Sequence, residues 1–138
     1  MSQHFYSLMP QTSISAIALA HLEAGDYHQA QQAFQSIPDS DRTVDDWVNQ
    51  AVCAIHLEQP EAALVACDRA LALNGNHPQA WLFKGVALHR LNRYDEAYAC
   101  YDQASNQPDQ LLQKSGKSSW YSRLGALRGV AKHILQAN

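Results

Sequence analysis

Seven histidines, three cysteines and a few paired carboxylates are the residues with which this 138-residue chain could do chemistry. His4, His21, His28, His56, His77, His89 and His133 include no His-x-x-x-His or His-Glu-x-x-His pair, the spacing that sets two imidazoles on one helix face for a metal. His56 and His89 fall at nearly equivalent places in successive helices, so they are the one pair that could approach as ligands; ordinary half-exposed histidines are the simpler reading. Cys53, Cys67 and Cys100 are odd in number and widely spaced, with no Cys-x-x-Cys, and read as buried thiols of a reducing, cytoplasmic compartment. Asp45-Asp46 and Asp95-Glu96 stand at helix starts, where the helix dipole favours a carboxylate without any catalytic duty. Gly116-Lys117-Ser118 suggests a phosphate loop, but Leu111 occupies the place of its first glycine and no strand precedes it. Nucleophile elbows, glycine-rich nucleotide turns and cysteine–histidine signatures are absent from the sequence. The expectation is no catalytic residue, no metal, no cofactor and no enzyme.

The elements that could position any other function come next. Hydrophobic residues are 46% and charged residues 17% of the chain, the composition of a soluble globular protein, and no uncharged apolar run reaches the roughly 18 residues needed to span a bilayer. The first basic residue is Arg42, so the start lacks the charged segment of a secretory signal. The net charge of -3 hides a division: nine acids and one base through Asp68, then nine bases and four acids from Arg69. Charge divided in this way bears on association rather than on fold.

The chain also repeats. Trp47 and Trp81 are 34 residues apart, as are Ala51 and Gly85, Ala63 and Ala97, Cys67 and Tyr101, and Ala70 and Ala104. Ile14, Ala18, Tyr27, Ala30, Phe34 and Ile37 supply an earlier copy, giving repeats over 11–43, 44–77 and 78–111. Each copy reads as two helices: Thr12–Ala24 with Tyr27–Ile37, Val44–Leu57 with Pro60–Leu73, and Pro78–Leu91 with Tyr94–Asn106. Gly25 and Asn74-Gly75-Asn76 stop helices, Pro60 suits a first helical position, and Thr43 with Asp46 has the spacing of a capping box. Small residues recur in register: Ala18, Ala51 and Gly85 on the first helices should face Ala30, Ala63 and Ala97 on the second, letting the backbones approach. Trp47 and Trp81 read as packing between helices. Cys67 stands where its siblings carry Phe34 and Tyr101, which should leave the middle copy less well filled.

Trp81, Gly85, Leu88, Tyr94, Ala97, Tyr101, Ala104 and Pro108, with their weaker echoes in the other copies, resemble the tetratricopeptide repeat family. The resemblance covers about three quarters of the chain. It implies an all-α, right-handed superhelical solenoid of helix–turn–helix repeats, since no single pair can bury its own apolar face. Residues 1–10, with Phe5, Tyr6, Leu8 and Met9, form an apolar arm that is frayed, docked on the first repeat or exchanged with another copy. Residues 112–138 read as a linker and a C-terminal capping helix, with Tyr121 in the tryptophan position.

In the resembling family, first helices line a concave groove for a peptide or helix of another protein. Carried over by repeat position, the groove would hold Ser15, Leu19 and Leu22, then Val48, Asn49, Val52, Ile55 and His56, then Leu82, Val86, His89 and Arg90. So apolar a wall implies an apolar guest. Family members that clamp the acidic tails of heat-shock chaperones use Lys, Asn and Arg at positions here held by Ser15, Leu19, Asn49, Gln79 and Phe83. Only Asn49 fits, which argues against that clamp. The leading expectation is therefore a chaperone-like adaptor or assembly factor. The alternative is a self-associating scaffold, a homo-oligomer joined by its oppositely charged ends or its exchanged arm. Nucleic acid is the poorest partner, because no basic stripe crosses the repeats.

Overall fold

The structure, a computed structural model, describes residues 11–106; the N-terminal arm, the end of the third copy, the linker and the capping helix lie outside the described residues. The described part holds six α-helices, a short 3-10 turn at Asp39–Asp41 and no strand. The helices are α1 (Gln11–Ala24), α2 (Tyr27–Ser36), α3 (Val44–His56), α4 (Pro60–Leu73), α5 (Pro78–Arg90) and α6 (Tyr94–Ser105), each within one residue of its expected bounds. Every helix packs on its neighbours in sequence, while α1 also meets α3 and α3 meets α5. This is a helical repeat solenoid. First helices α1, α3 and α5 form one layer, and second helices α2, α4 and α6 form the other.

Local chemistry explains the boundaries. Thr43 Oγ1 accepts from the Asp46 backbone N–H at 3.1 Å while Asp46 Oδ2 accepts from the Thr43 N–H at 3.0 Å, so the capping box forms with aspartate in the glutamate place. His77 caps α5 in another way, its Nδ1 accepting from the Ala80 N–H at 3.3 Å. The turn from first to second helix is the same in all three repeats. Gly25, Glu58 and Asn92 occupy one repeat position and share a left-handed backbone, with φ of 84°, 59° and 63°. The next amide closes each turn on a carbonyl five residues back: Asp26 to His21, Gln59 to Ala54 and Arg93 to Leu88.

The small-residue seam lies where the repeat places it. Ala18, Ala30, Ala51, Ala63 and Ala97 are wholly buried, and a Cβ built on Gly85 would run into the Tyr101 ring and the Ala97 carbonyl. The core runs as linked clusters along the stack: Ile14, Ala33, Phe34 and Ile37 with Cys53 from the next repeat, then the middle group around Val48, Val52, Cys67 and Phe83, then Leu88, Ala97 and Cys100.

The two tryptophans meet different surroundings. Trp47 is buried, with the guanidinium of Arg42 4.4 Å and that of Arg69 5.6 Å from its ring centre. Arg42 donates to the carbonyls of Ile37 at 2.8 Å and Gln35 at 3.0 Å and to Gln50 Oε1 at 2.7 Å, and Asp39 lies 3.3 Å away. It thereby satisfies chain groups at the end of α2 that would otherwise be orphaned. Trp81 is only partly buried; its indole N–H donates to the Gly75 carbonyl at 2.8 Å, and Lys84 lies beside it, paired with Asp68 at 2.8 Å.

Candidate functional site

Because α1, α3 and α5 lie side by side, residues at one repeat position form rows across the first-helix layer. The structure divides the twelve expected groove residues in two. Val48, Asn49, Val52, Ile55, Val86 and His89 are buried, with Val48, Val52, Ile55 and Val86 packed together with Phe83 between α3 and α5. Their burial departs from an open groove wall. Side chains that point toward the neighbouring first helix are shared between two repeats, and periodicity alone does not separate them from those that point outward. Ser15, Leu19, Leu22, His56 and Leu82 are half-buried and Arg90 is exposed, so these six are the accessible members. The arrangement is a floor of buried apolar side chains with an accessible rim.

One polar atom stands out within the floor. Asn49 is 5% exposed, and its Oδ1 has no hydrogen-bond partner among the described residues. A buried acceptor left without a donor costs on the order of 1–3 kcal/mol.

His56 and His89 do not pair with each other. His56 stacks flat on Tyr27 of the preceding repeat, with ring centres 4.0 Å apart and planes at 4°. His89 takes edge contacts from Tyr94 at 4.8 Å and Tyr98 at 6.3 Å. Burial, and secondarily the Arg90 charge, push the His56 pKa below that of a free imidazole. Among the described residues no group of three or more His, Cys, Asp or Glu is placed to hold a metal, and no helix is long and apolar enough to cross a membrane. All three thiols are buried. Burial pushes Cys53 up to about 12, and it raises Cys67 and Cys100 as well, so none is poised as a nucleophile. The paired carboxylates are structurally engaged: Asp46 caps α3, Asp45 lies 3.5 Å from His77 Nε2, and Glu96 receives two hydrogen bonds from Arg93 at 2.7 and 2.8 Å.

Sequence reasoning missed Tyr27 and Arg42. Tyr27 and Tyr94 share a repeat position directly after the left-handed turn, and each holds a histidine, so that pairing was available as a signal. Arg42 carried a fainter one, as the lone base in an acidic half. Of the positions used by the heat-shock clamp, Phe83 is core and Asn49 is buried, while Ser15, Leu19 and Gln79 are half-buried.

Comparison with known proteins agrees with this geometry. Tetratricopeptide repeat models match residues 15–78 and 54–115. Superkiller complex protein 3 of Homo sapiens is 35% identical over 71 residues, 51% of this chain and 4% of that protein. Tetratricopeptide repeat protein 37 of Xenopus laevis is 35% identical over 72 residues, 51% of this chain and 5% of that protein. The chain thus spans only a small fraction of the curated relatives it matches. Among solved structures, the first TPR domain of Spaghetti (RPAP3), bound to the HSP90 peptide SRMEEVD, superposes with a TM-score of 0.64 at 18% identity, covering 91% of this chain and 93% of that one. The Sgt2 TPR domain from Aspergillus fumigatus gives 0.64 at 15% identity, covering 91% and 82%.

Proposed function

We propose that this chain, which belongs to the tetratricopeptide repeat family, is a non-enzymatic protein-interaction module that takes a peptide or helix of a partner protein along its row of first helices. The observation that carries the reading is the apolar floor packed between α3 and α5 and flanked by accessible first-helix residues of all three repeats. Apolar guest side chains would rest on the half-buried Leu19, Leu22 and Leu82. The peptide seen on the first TPR domain of Spaghetti gives precedent for such a guest on this fold. Only Asn49 keeps the residue type used to hold an acidic chain end, so the guest is an internal apolar segment. Three buried thiols suit a reducing, cytoplasmic setting.

The accessible rim decides the test. Val52 is core, so a charge there would unfold the protein; Leu82 is half-buried and serves better. Selection from an immobilised random-peptide library should return segments with two or three large apolar residues. Leu82→Asp should lose them by at least about ten-fold, the factor for about 1.4 kcal/mol, while keeping its helical circular dichroism. Recovery of the same peptides by the variant sinks the reading.

The division of charge, nine acids against one base before Arg69 and nine bases against four acids from it, favours one second reading, head-to-tail self-association. Sedimentation as a monomer at all salt concentrations removes it.

A further inference from the structure

Glu23, His56 and Arg90 occupy one position in successive copies, at the C-terminal ends of α1, α3 and α5. Arg90 suits a helix C-terminus, where the dipole favours a cation; Glu23 is a carboxylate at the end where the dipole opposes it. Glu23 and Arg90 are both exposed, and neither forms an ion pair with another described residue. Arg93 is held by Glu96 at 2.7 Å, and His21 lies 3.7 Å from Asp26. Arg90 also acts on His56 as a like charge, which an approaching anion would relieve. Among the described residues, the row therefore runs from an acid without an ion pair, through an imidazole stacked on Tyr27, to a base without one.

We infer that this rim selects the charge pattern of the guest: an extended peptide with a basic side chain against Glu23 and an acidic one against Arg90. The inference rests on the groove reading above and names its partner more closely. Two helix spacings of about 8–10 Å separate the ends of the row, a span that an extended chain covers in about five or six residues. The guest is thus an apolar stretch with opposite charges at its two ends. Either chain direction satisfies the rim if the sequence is reversed with it.

Fluorescence anisotropy on the full chain tests this with labelled probes that share one interior. They are Lys-Leu-Ala-Leu-Ala-Leu-Glu and its relatives with both ends Lys, both ends Glu or both ends Gln. The Lys/Glu probe should bind tightest, by about 1.5- to five-fold for each matched charge, and the preference should shrink in high salt. Glu23→Lys should move the preference to the Glu/Glu probe, and Arg90→Glu should move it to the Lys/Lys probe. Circular dichroism should be unchanged in both, because the two residues are exposed. Equal binding of all four probes, or unchanged order in the variants, overturns the rim and leaves the groove standing. Failure of every probe, the Gln/Gln one included, overturns both.

Discussion

The two junctions between repeats use the same tryptophan position in opposite ways. At the first, Trp47 is buried beneath Arg42, whose own hydrogen bonds tie the end of α2 to α3. At the second, Trp81 stays partly exposed, tethered by its N–H to Gly75 and flanked by the Lys84–Asp68 pair. One junction is closed by desolvated polar groups and the other by contacts at the surface. The repeat pattern fixes where an aromatic goes; the residues around it fix how much it is worth.

Truncation of the tryptophans separates the junctions most strongly. Trp47→Ala should cost about 3–5 kcal/mol, the range for a buried aromatic. Trp81→Ala should cost about 2 kcal/mol, because part of its surface is already in water. Urea unfolding midpoints compare them directly, and equal losses would break the contrast.

Arg42→Met is the next lever. It strands the Gln35 and Ile37 carbonyls and should cost about 2–3 kcal/mol, with little dependence on salt. Lys84→Met removes a more open ion pair and should cost about 1 kcal/mol or less, most of it screened by added salt. A salt-sensitive Arg42 variant would place the two junctions in one class.

The smallest effect concerns acid. His56 reaches across the first junction to Tyr27, whereas His89 meets tyrosines of its own repeat. Folding lowers the His56 pKa from 6.5, so the unfolded chain binds its proton more readily. That contribution is fully present above about pH 6.5 and is lost as pH falls through the lowered value. His56→Gln should flatten the acid side of the stability curve. An unchanged curve would mean that burial beside Arg90 does not hold the imidazole neutral.

Much of this was legible in the chain because it depends on residue type at a fixed spacing. The helix bounds, the Thr43–Asp46 cap and the alanine–glycine seam follow from propensity, cap chemistry and the period of 34 between Trp47 and Trp81. The divided groove was not legible. Val52 and Leu82 are both apolar first-helix residues, yet the contact between α3 and α5 buries Val52 and leaves Leu82 half-open. The left-handed backbone at Glu58 was also hidden, because Gly25, and more weakly Asn92, announce it by residue type while a glutamate does not.

Glu58 has a practical consequence. The path between paired helices is dictated by their closeness, and the middle repeat meets that demand with a side chain poorly suited to positive φ, at a strain of about 1–2 kcal/mol. The site therefore holds unspent robustness: Glu58→Gly should raise the melting temperature without touching floor or rim, a margin against which costlier edits to the binding face can be made.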